Sequence, residues 1–515
     1  MILVSTLRDR LLSLDLLSLS VIFATVKLAL IVVVAPAACQ RFPDGFQFGA
    51  ATAAYQIEGA WNVSDKTPSV WDDFTHQAPH RIADHSTGDV ACDSYHKWRD
   101  DVRILRDLGV NFYRFSISWP RLLPTGFPNK ISDDGYRYYN ELIDELIRHG
   151  IQPCVTLYHW DLPLRMHHMG AWSNPQIVDW FAAYARTVFT LFGSRVRTWL
   201  TINEPLLICD VQYQGWGPGP EDPEIGLHLC ARHVILAHAR AWRIYDEEFR
   251  HQEHGKVSIP NQLVWYEPSE PGDEELTELA REYYGRYSHP IYSKDGGWPP
   301  AVEQFMAKKS QEEGYAVSRM PPFTQEEIEL IRGTYDFYAL NHYTSQTVRK
   351  AFPDEVLGLK PIFDVPELRV ATGKRPEWHV IDNGWLQVYP EGLRKILYWL
   401  KKRYGDMEFW VTESGYATTG RSLEDEDRLQ YYRDYMKQVQ LAITEDKVNV
   451  TAYTVWSLMD NFEWPDGYTV KFGIYDVDFS DPQRPRRPKK SALFYRDVIR
   501  TRRLDVPDPQ LRDEL

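Results

Sequence analysis

Two glutamates stand where apolar runs of the sequence end. Glu204 lies in the segment 201–205 (TINEP), and Glu413 lies in the segment 410–415 (WVTESG). A carboxylate that closes a buried run, before a proline or glycine breaks the strand, is placed at the rim of a sheet or the mouth of a barrel. Either residue by itself fits a surface acid at a turn. Two such residues at the ends of two runs point to acid–base chemistry.

Paired carboxylates suit cleavage of a glycosidic bond. One protonates the leaving group, while the other meets an oxocarbenium-like carbon directly or through an activated water. A separation of roughly 5–5.5 Å allows direct attack and retains configuration, whereas ~6.5–9.5 Å leaves room for a water and inverts it. The sequence therefore predicts the two catalytic roles but does not give the distance between the two carboxyl groups.

The residue types around these acids suit a neutral polyol. Amides and carboxylates bond hydroxyls, and indoles cover the C–H faces of a sugar. Arg114 lies among aromatic residues in the run 111–116, so its charge needs an anionic partner. The candidate binding residues are Gln56, His159, Asn203, Asn341, Tyr343, Trp456, Glu463 and Trp464.

Short apolar runs that recur along the chain must position these groups. Eight of them read as buried strands: 46–51, 111–116, 151–157, 198–203, 256–264, 336–341, 408–412 and 449–456. Helical patterns lie between them, at 135–149 before Gly150 and at 391–404 between Pro390 and Gly405. The alternation predicts an α/β fold, a single (β/α)8 TIM barrel with long loops at its C-terminal face, after the fourth, fifth and sixth strands above all. A doubly wound open sheet is the alternative, but no Gly-rich phosphate loop follows the first strand.

The length and composition limit the function classes. The 515 residues would suggest about three domains at ~150 residues each, yet no linker or low-complexity tract interrupts residues 40–505, which we therefore predict to be one catalytic barrel. The balance of 72 acidic against 58 basic residues gives a net charge of -14. A chain so charged gains little from phosphate neutralisation, which argues against nucleic-acid partners.

Both ends of the chain carry targeting patterns. Residues 1–38 combine basic residues, an apolar stretch and a small-residue cleavage site, which predicts a signal peptide and no integral span after its removal. An uncleaved signal anchor over residues 16–38 is the alternative. The tail 506–515 ends in RDEL, which resembles endoplasmic-reticulum retention signals and predicts binding of a retention receptor. Sequons at Asn62 and Asn449 predict glycosylation. We expect a protein of the secretory pathway, either retained in the endoplasmic-reticulum lumen or secreted.

The five cysteines do not form a disulfide scaffold and lack the close pairing of a zinc site. Cys209 and Cys230 are the one pair considered for a bridge, and Cys154 fits a small core residue. We expect neither a metal nor a cofactor.

Taken together, the motifs resemble glycoside hydrolase family 1, the family of retaining β-glucosidases. The resemblance covers nearly the whole chain after residue 38. It rests on the order and spacing of 48–59 (FGAATAAYQIEG), 113–121 (YRFSISWPR), 159–163 (HWDLP), 203–205 (NEP), 412–413 (TE) and 456–464 (WSLMDNFEW).

The resemblance implies a role for each candidate residue. Glu204 would be the general acid/base and Glu413 the nucleophile, with Arg114 and Tyr343 as partners of the nucleophile. The hydroxyl binders would be Gln56, His159, Asn203, Glu463 and Trp464, with Trp456 as a platform under the sugar and Phe472 as a wall. On this interpretation Arg114 keeps Glu413 ionised, while Glu204 keeps a proton because its pKa is raised.

The implied activity is hydrolysis of β-glucosides, with β-galactosides and β-fucosides as further candidate substrates. Thioglucoside cleavage, as in myrosinases, and transglycosylation remain alternatives within the enzyme class. A non-catalytic binding ectodomain of the klotho type is a different class, but such proteins lack a catalytic glutamate. Departures from the family pattern at Leu164, His342 and Ser414 affect the expected substrate preference rather than the catalytic pair.

Overall fold

The computed structural model describes residues 41–358, 363–381 and 384–510. Its centre is a barrel of parallel strands. In chain order these are Gln47–Ala51, Phe112–Ser116, Gln152–Tyr158, Thr198–Ile202, Lys256–Ser258, Pro260–Gln262, Tyr338–Asn341, Glu408–Ser414 and Asn449–Trp456. All eight predicted strands are present in this sheet, and the (β/α)8 barrel is confirmed.

The fifth strand closes the barrel in two pieces. Lys256–Ser258 pairs with Thr198–Ile202, and Pro260–Gln262 pairs with Tyr338–Asn341 on the other side. Proline at position 260 lacks the N–H of a continuous ladder, which fits a break at this point. The predicted uninterrupted strand 256–264 is therefore wrong in detail.

Close packing between the first two strands depends on a glycine. A Cβ atom at Gly49 would lie 2.3 Å from the ring of Phe112. The ring in turn packs against Trp410, with 5.2 Å between ring centroids, in a cluster inside the barrel. The barrel interior is thus filled by side chains, as in other barrels of this size.

Helices surround the barrel and cover the outer faces of the strands. The principal helices, in chain order, are Ser94–Leu108, Asp133–Arg148, Ile177–Phe192, Gly226–Ile244, Glu274–Tyr284, Pro300–Glu312, Gln325–Ile331, Glu391–Tyr404, Glu426–Thr444 and Lys490–Thr501. The two helices predicted from the sequence are confirmed, the first with bounds shifted by two residues or fewer. The helix Asp133–Arg148 begins after Ser132, whose hydroxyl accepts a 3.0 Å hydrogen bond from the backbone N–H of Gly135.

Shorter elements build the loops. The short helices are Ala54–Ile57, Val70–Gln77, Trp119–Leu122, Leu164–His167, Arg250–Glu253 and His289–Tyr292, with π-helical turns at Leu207–Val211 and Tyr245–Phe249. A three-stranded sheet contains Trp265–Pro268, Ser345–Lys350 and Val370–Gly373. Two-stranded pairs join His379–Val380 to Gln387–Val388 and Tyr475–Val477 to Arg486–Pro488.

The remaining sequence features have the following places. Cys209 and Cys230 form a disulfide, while Cys92 and Cys154 are buried free thiols. Asn62 and Asn449 are both exposed. The predicted signal peptide and the RDEL sequence lie outside the described residues. Within the described residues, no helix is long and apolar enough to cross a membrane, and no cluster of three potential metal ligands occurs.

Candidate active site

Both glutamates lie in one cavity at the C-terminal ends of the barrel strands. The cavity has a volume of about 380 Å³, and its walls include Trp160, Trp216 and Phe472. Glu204 follows the strand Thr198–Ile202, and Glu413 lies near the end of Glu408–Ser414. The sequence pattern therefore located both groups at the mouth, as a parallel barrel requires.

Glu413 is held through both of its carboxylate oxygens. Nη1 of Arg114 donates to Oε1 at 2.5 Å, and the hydroxyl of Tyr343 donates to Oε2 at 2.5 Å. Arg114 also donates from Nη2 to Oδ1 of Asn203 at 2.6 Å and from Nη1 to the backbone oxygen of Thr412 at 2.9 Å. The anionic partner that Arg114 needed is thus Glu413, and the carboxylate is fixed in one orientation.

Among the residues that the structure describes, the carboxyl of Glu204 has one hydrogen-bond partner, the neutral amide of Asn341. Nδ2 of Asn341 donates to its Oε1 at 2.7 Å, and the hydroxyl of Thr412 donates to Oδ1 of Asn341 at 2.7 Å. The backbone of Glu204 has a φ of 52°, in the left-handed region, and its N–H donates to the oxygen of Pro260 at 3.0 Å. This turn ends the strand and leaves the carboxyl in the cavity beside Glu413.

The environments of the two carboxyls separate their protonation behaviour. Burial raises the pKa of Glu204 well above its usual range, and the nearby charge of Glu413 raises it further. Burial also raises the pKa of Glu413, but the charge of Arg114 and the hydrogen bonds from Tyr343 and Arg114 oppose that rise. The first proton lost from the pair therefore leaves Glu413, and Glu204 keeps its proton to higher pH. Burial is the largest cause of the raised pKa of Glu204, whereas the sequence had indicated mainly the effect of the Arg114 charge on the pair.

Predicted hydroxyl binders occupy one end of the cavity. Gln56 is fully buried, and its Nε2 donates to Oδ1 of Asn461 at 2.9 Å and lies 3.4 Å from Oε2 of Glu463. Within the described part of the chain, its Oε1 has no partner. Burial raises the pKa of Glu463 well above its usual range, with the charge of Asp466 adding to the rise. This end offers amide and carboxyl groups to a ligand.

His159 and Asn203 contact each other at the same site. Nδ2 of Asn203 is 3.2 Å from Nε2 of His159, whose Nδ1 has no partner among the described residues. Burial and the charge of Arg114 lower the pKa of His159 well below its usual range, so the ring is neutral. A neutral imidazole can donate and accept, which suits a hydroxyl.

Aromatic rings line the same region. The ring of His159 stacks on Trp456 with 5.6 Å between centroids, and Trp160 packs against Trp464 at 4.6 Å. Phe472 lies 5.9 Å from the ring of Tyr343. Of the predicted site residues, Gln56, Asn203, Asn341 and Arg114 lie beneath the cavity surface and contact its lining, and the remaining ones line it directly.

Several lining residues were not predicted from the sequence. They are Leu207, Trp216, Gln262, Gln346, Phe363, Gly384, Gln387 and Asp466. Long loops were expected after the fourth, fifth and sixth strands. The loops after the fourth and sixth strands contribute lining residues as expected, whereas the span 263–337 after the fifth strand contributes none. Asp466 lies just beyond the 456–464 motif, and that position is the one signal that could have indicated it.

A carboxylate fixed by a guanidinium, and a second carboxyl whose raised pKa lets it hold a proton, can together cleave an acetal bond. One supplies the negative charge and the other the proton. Amides, carboxyls and indoles around them recognise hydroxyls and C–H faces. The barrel and this cavity define the class of glycoside hydrolases.

Comparison with known proteins agrees with that class. Residues 38–504 match the family model of glycosyl hydrolase family 1, and the chain belongs to that family. It is 42% identical over 474 residues to Myrosinase 1 of Brevicoryne brassicae, covering 90% of this chain and 99% of the relative. It is 40% identical over 473 residues to a cytosolic beta-glucosidase of Homo sapiens, covering 90% and 99%. The solved structure of an aphid myrosinase superposes with a TM-score of 0.85 at 41% identity, covering 90% of this chain and all of that one.

Proposed function

We propose that this protein is a retaining β-glucosidase that removes terminal non-reducing β-D-glucosyl residues through a glycosyl-enzyme on Glu413. The observation that carries the proposal is the difference between the partners of the two buried glutamates. Glu413 is bound by the Arg114 guanidinium and the Tyr343 hydroxyl, and the carboxyl of Glu204 is bound, among the described residues, only by the amide of Asn341. Such an asymmetry suits one nucleophile and one proton donor.

The reaction has two steps. In the first, an oxygen of the Glu413 carboxylate bonds to the anomeric carbon while the glycosidic C–O bond breaks, and the Glu204 carboxyl gives its proton to the leaving oxygen. In the second, the Glu204 carboxylate takes a proton from water, whose oxygen bonds to the anomeric carbon as the bond to Glu413 breaks. Two inversions give net retention, and each glutamate returns to its starting form.

The glycone is recognised by the groups around Gln56 and Glu463. The unpartnered Oε1 of Gln56 and Nδ1 of His159 are buried atoms that a sugar hydroxyl would satisfy. Trp456 and Trp464 supply the surfaces for its C–H faces. The printed name of the human relative supports glucose as the glycone, and β-galactosides and β-fucosides are further substrates to test.

Thioglucoside cleavage is the second candidate, because two of the compared proteins are myrosinases. The charges around the cavity favour a neutral leaving group. Among the described residues that line it, the charged types are the acids Glu204, Glu413, Glu463 and Asp466, and no lysine or arginine is present. An anionic leaving group would face these carboxyls without a cation to bind it.

A kinetic panel tests this proposal. Purified protein lacking residues 1–38 is assayed with p-nitrophenyl β-D-glucoside, the matching galactoside, a thioglucoside and cellobiose. We expect the O-glucoside to have the highest kcat/KM and the first sugar product to be the β-anomer, observed by proton NMR. An α-anomer as first product contradicts retention, and preference for the thioglucoside supports the second candidate. Growth of longer glycosides at high substrate concentration would instead indicate a transglycosylase.

We also propose that the protein resides in the secretory pathway. The Cys209–Cys230 disulfide fits an oxidising compartment, and both sequon asparagines are exposed, as an attached glycan requires. Expressed in animal cells, the full chain should change in gel mobility after enzymatic deglycosylation. Deletion of residues 512–515 should shift it from the cell fraction to the medium. An unglycosylated chain that remains in the cytosol contradicts this proposal.

A further inference from the structure

Three glutamines that line the cavity are not used by the reaction described above. Gln262, Gln346 and Gln387 all line the cavity, and their side chains are 6%, 1% and 7% exposed. They come from three separate segments of the chain: the end of Pro260–Gln262, the strand Ser345–Lys350 and the strand Gln387–Val388. We call these three residues the amide cluster.

Gln262 is positioned on the Glu204 side of the cavity. It pairs in register with Asn341, the residue whose side chain binds the carboxyl of Glu204. The backbone N–H of Glu204 is also bonded to Pro260, two residues before Gln262. The leaving oxygen must lie within hydrogen-bond reach of the proton donor, so the leaving group occupies this side.

Gln346 and Gln387 are joined to each other. Nε2 of Gln387 donates to Oε1 of Gln346 at 3.0 Å. The main chain of Gln387 is fixed by Thr344, whose hydroxyl accepts from its N–H at 2.8 Å. Thr344 directly follows Tyr343, the partner of Glu413, so this pair of amides is tied to the catalytic centre through the backbone.

The amide cluster has unused hydrogen-bonding capacity. Oε1 of Gln262 and Oε1 of Gln387 are buried and have no partner among the described residues. Gln56 and His159, which we assign to the glycone, each have an unpartnered buried atom as well. Buried polar atoms without partners are costly, and a binding site is one place where a ligand supplies the missing hydrogen bonds. The cavity therefore has two groups of such atoms, and the glycone accounts for the group at Gln56 and His159.

We propose that the amide cluster binds hydroxyl groups of the leaving group, so that the preferred substrates are β-glucosides whose leaving group is a second sugar. This inference rests on the proposed β-glucosidase activity and names its substrate class. A hydroxyl donates and accepts, so it can satisfy either end of an amide. Trp216, Phe363 and Trp385 also line the cavity and offer apolar faces to the ring carbons of that sugar.

An apolar leaving group fits this cavity less well. A steroid or simple aryl group would cover the amides without bonding them, leaving buried polar atoms unsatisfied. Sites built to bond a hydroxyl discriminate strongly against analogues that lack it. The aromatic walls by themselves would accept either kind of leaving group, and the amides decide between them.

The test compares two substrates in matched variants. Gln262→Met and Gln387→Met keep an unbranched side chain of similar length and remove the amide. Gln440→Met is the control, because Gln440 is 2% exposed, has an unpartnered amide and lies in the helix Glu426–Thr444 away from the cavity lining. For each protein, kcat/KM is measured with cellobiose and with p-nitrophenyl β-D-glucoside.

We expect each cluster variant to lose about tenfold or more in kcat/KM for cellobiose, because a buried hydroxyl of the leaving sugar is left without its partner. The aryl glucoside should change by less than about threefold, and Gln440→Met should leave the ratio of the two substrates unchanged. Equal losses on both substrates, or an unchanged ratio in both cluster variants, would overturn the inference. A wild-type protein inactive on both substrates would instead refute the proposed function itself.

Discussion

Replacing Tyr343 by phenylalanine removes one hydrogen bond from Glu413 and preserves the ring. The ring packs against Trp385 and Phe472, with centroids at 6.1 and 5.9 Å, and these contacts do not involve the hydroxyl. A hydrogen bond to a charged group contributes about 1.5–3 kcal/mol. Since ~1.4 kcal/mol is a factor of ten, we expect kcat to fall roughly 10- to 100-fold. The physical reason is that the Glu413 carboxylate, which is the leaving group of the second step, loses the hydrogen bond from Tyr343.

The pH profile of the same variant has a defined direction. The hydrogen bond from Tyr343 opposes the burial that raises the pKa of Glu413, so its loss raises that pKa further. Glu413 must be ionised to attack. The acidic limb of kcat/KM should therefore move to higher pH in Tyr343→Phe, measured with p-nitrophenyl β-D-glucoside across the acidic and neutral range.

Tyr184→Phe is the matched control for this experiment. Its hydroxyl is buried and donates to the backbone oxygen of Leu157 at 2.7 Å, so it is bonded to no carboxylate. That variant should lose stability without a shift of the acidic limb. An unshifted limb and an unchanged kcat in Tyr343→Phe would refute the assignment of Tyr343 as a partner of the nucleophile.

Three further predictions follow from the same geometry. In Glu204→Ala the rate on substrates with poor leaving groups should fall about 10²- to 10⁴-fold. Azide should restore turnover of an activated aryl glucoside and give a glucosyl azide, and the absence of that product would contradict the acid/base role. In Glu413→Gln the pKa of Glu204 should fall, because a nearby negative charge that raises it is gone, and infrared titration of the carboxyl measures this; a rise would contradict the coupling. Replacing both Cys209 and Cys230 by serine should lower the free energy of unfolding by about 3 kcal/mol, since the disulfide closes a span of 21 residues; denaturant unfolding that matches the oxidised parent would exclude a stabilising role.

The fold could be predicted from the sequence because its signals are local. Each barrel strand is a short apolar run, and each is buried on both faces, as in the fully buried Phe112–Ser116. The division of the fifth strand at Ile259 was not predictable, because it depends on pairing to two neighbours that are distant in sequence. Strand ends also located Glu204 and Glu413, since a parallel barrel brings all such ends to one rim.

The rest of the site needed the structure. Gln262, Gln346 and Gln387 stand in unrelated segments, and a single glutamine carries no sequence pattern that distinguishes a ligand-binding side chain from a solvated one. The protonation order of the two glutamates likewise depends on burial and on the position of the Arg114 charge, which only the folded chain defines. The resemblance supplied roles for the catalytic residues, but it did not supply the composition of the leaving-group side.

The most direct test of the central claim is to trap the glycosyl-enzyme. The protein is incubated with 2,4-dinitrophenyl 2-deoxy-2-fluoro-β-D-glucoside. The fluorine slows both steps of the reaction, and the good leaving group makes the first step fast again. Intact mass spectrometry should show one added fluoroglucosyl group, and peptide mapping should place it on Glu413. A label on another residue, or steady turnover of natural substrate by a protein that never acquires the label, would contradict covalent catalysis by Glu413.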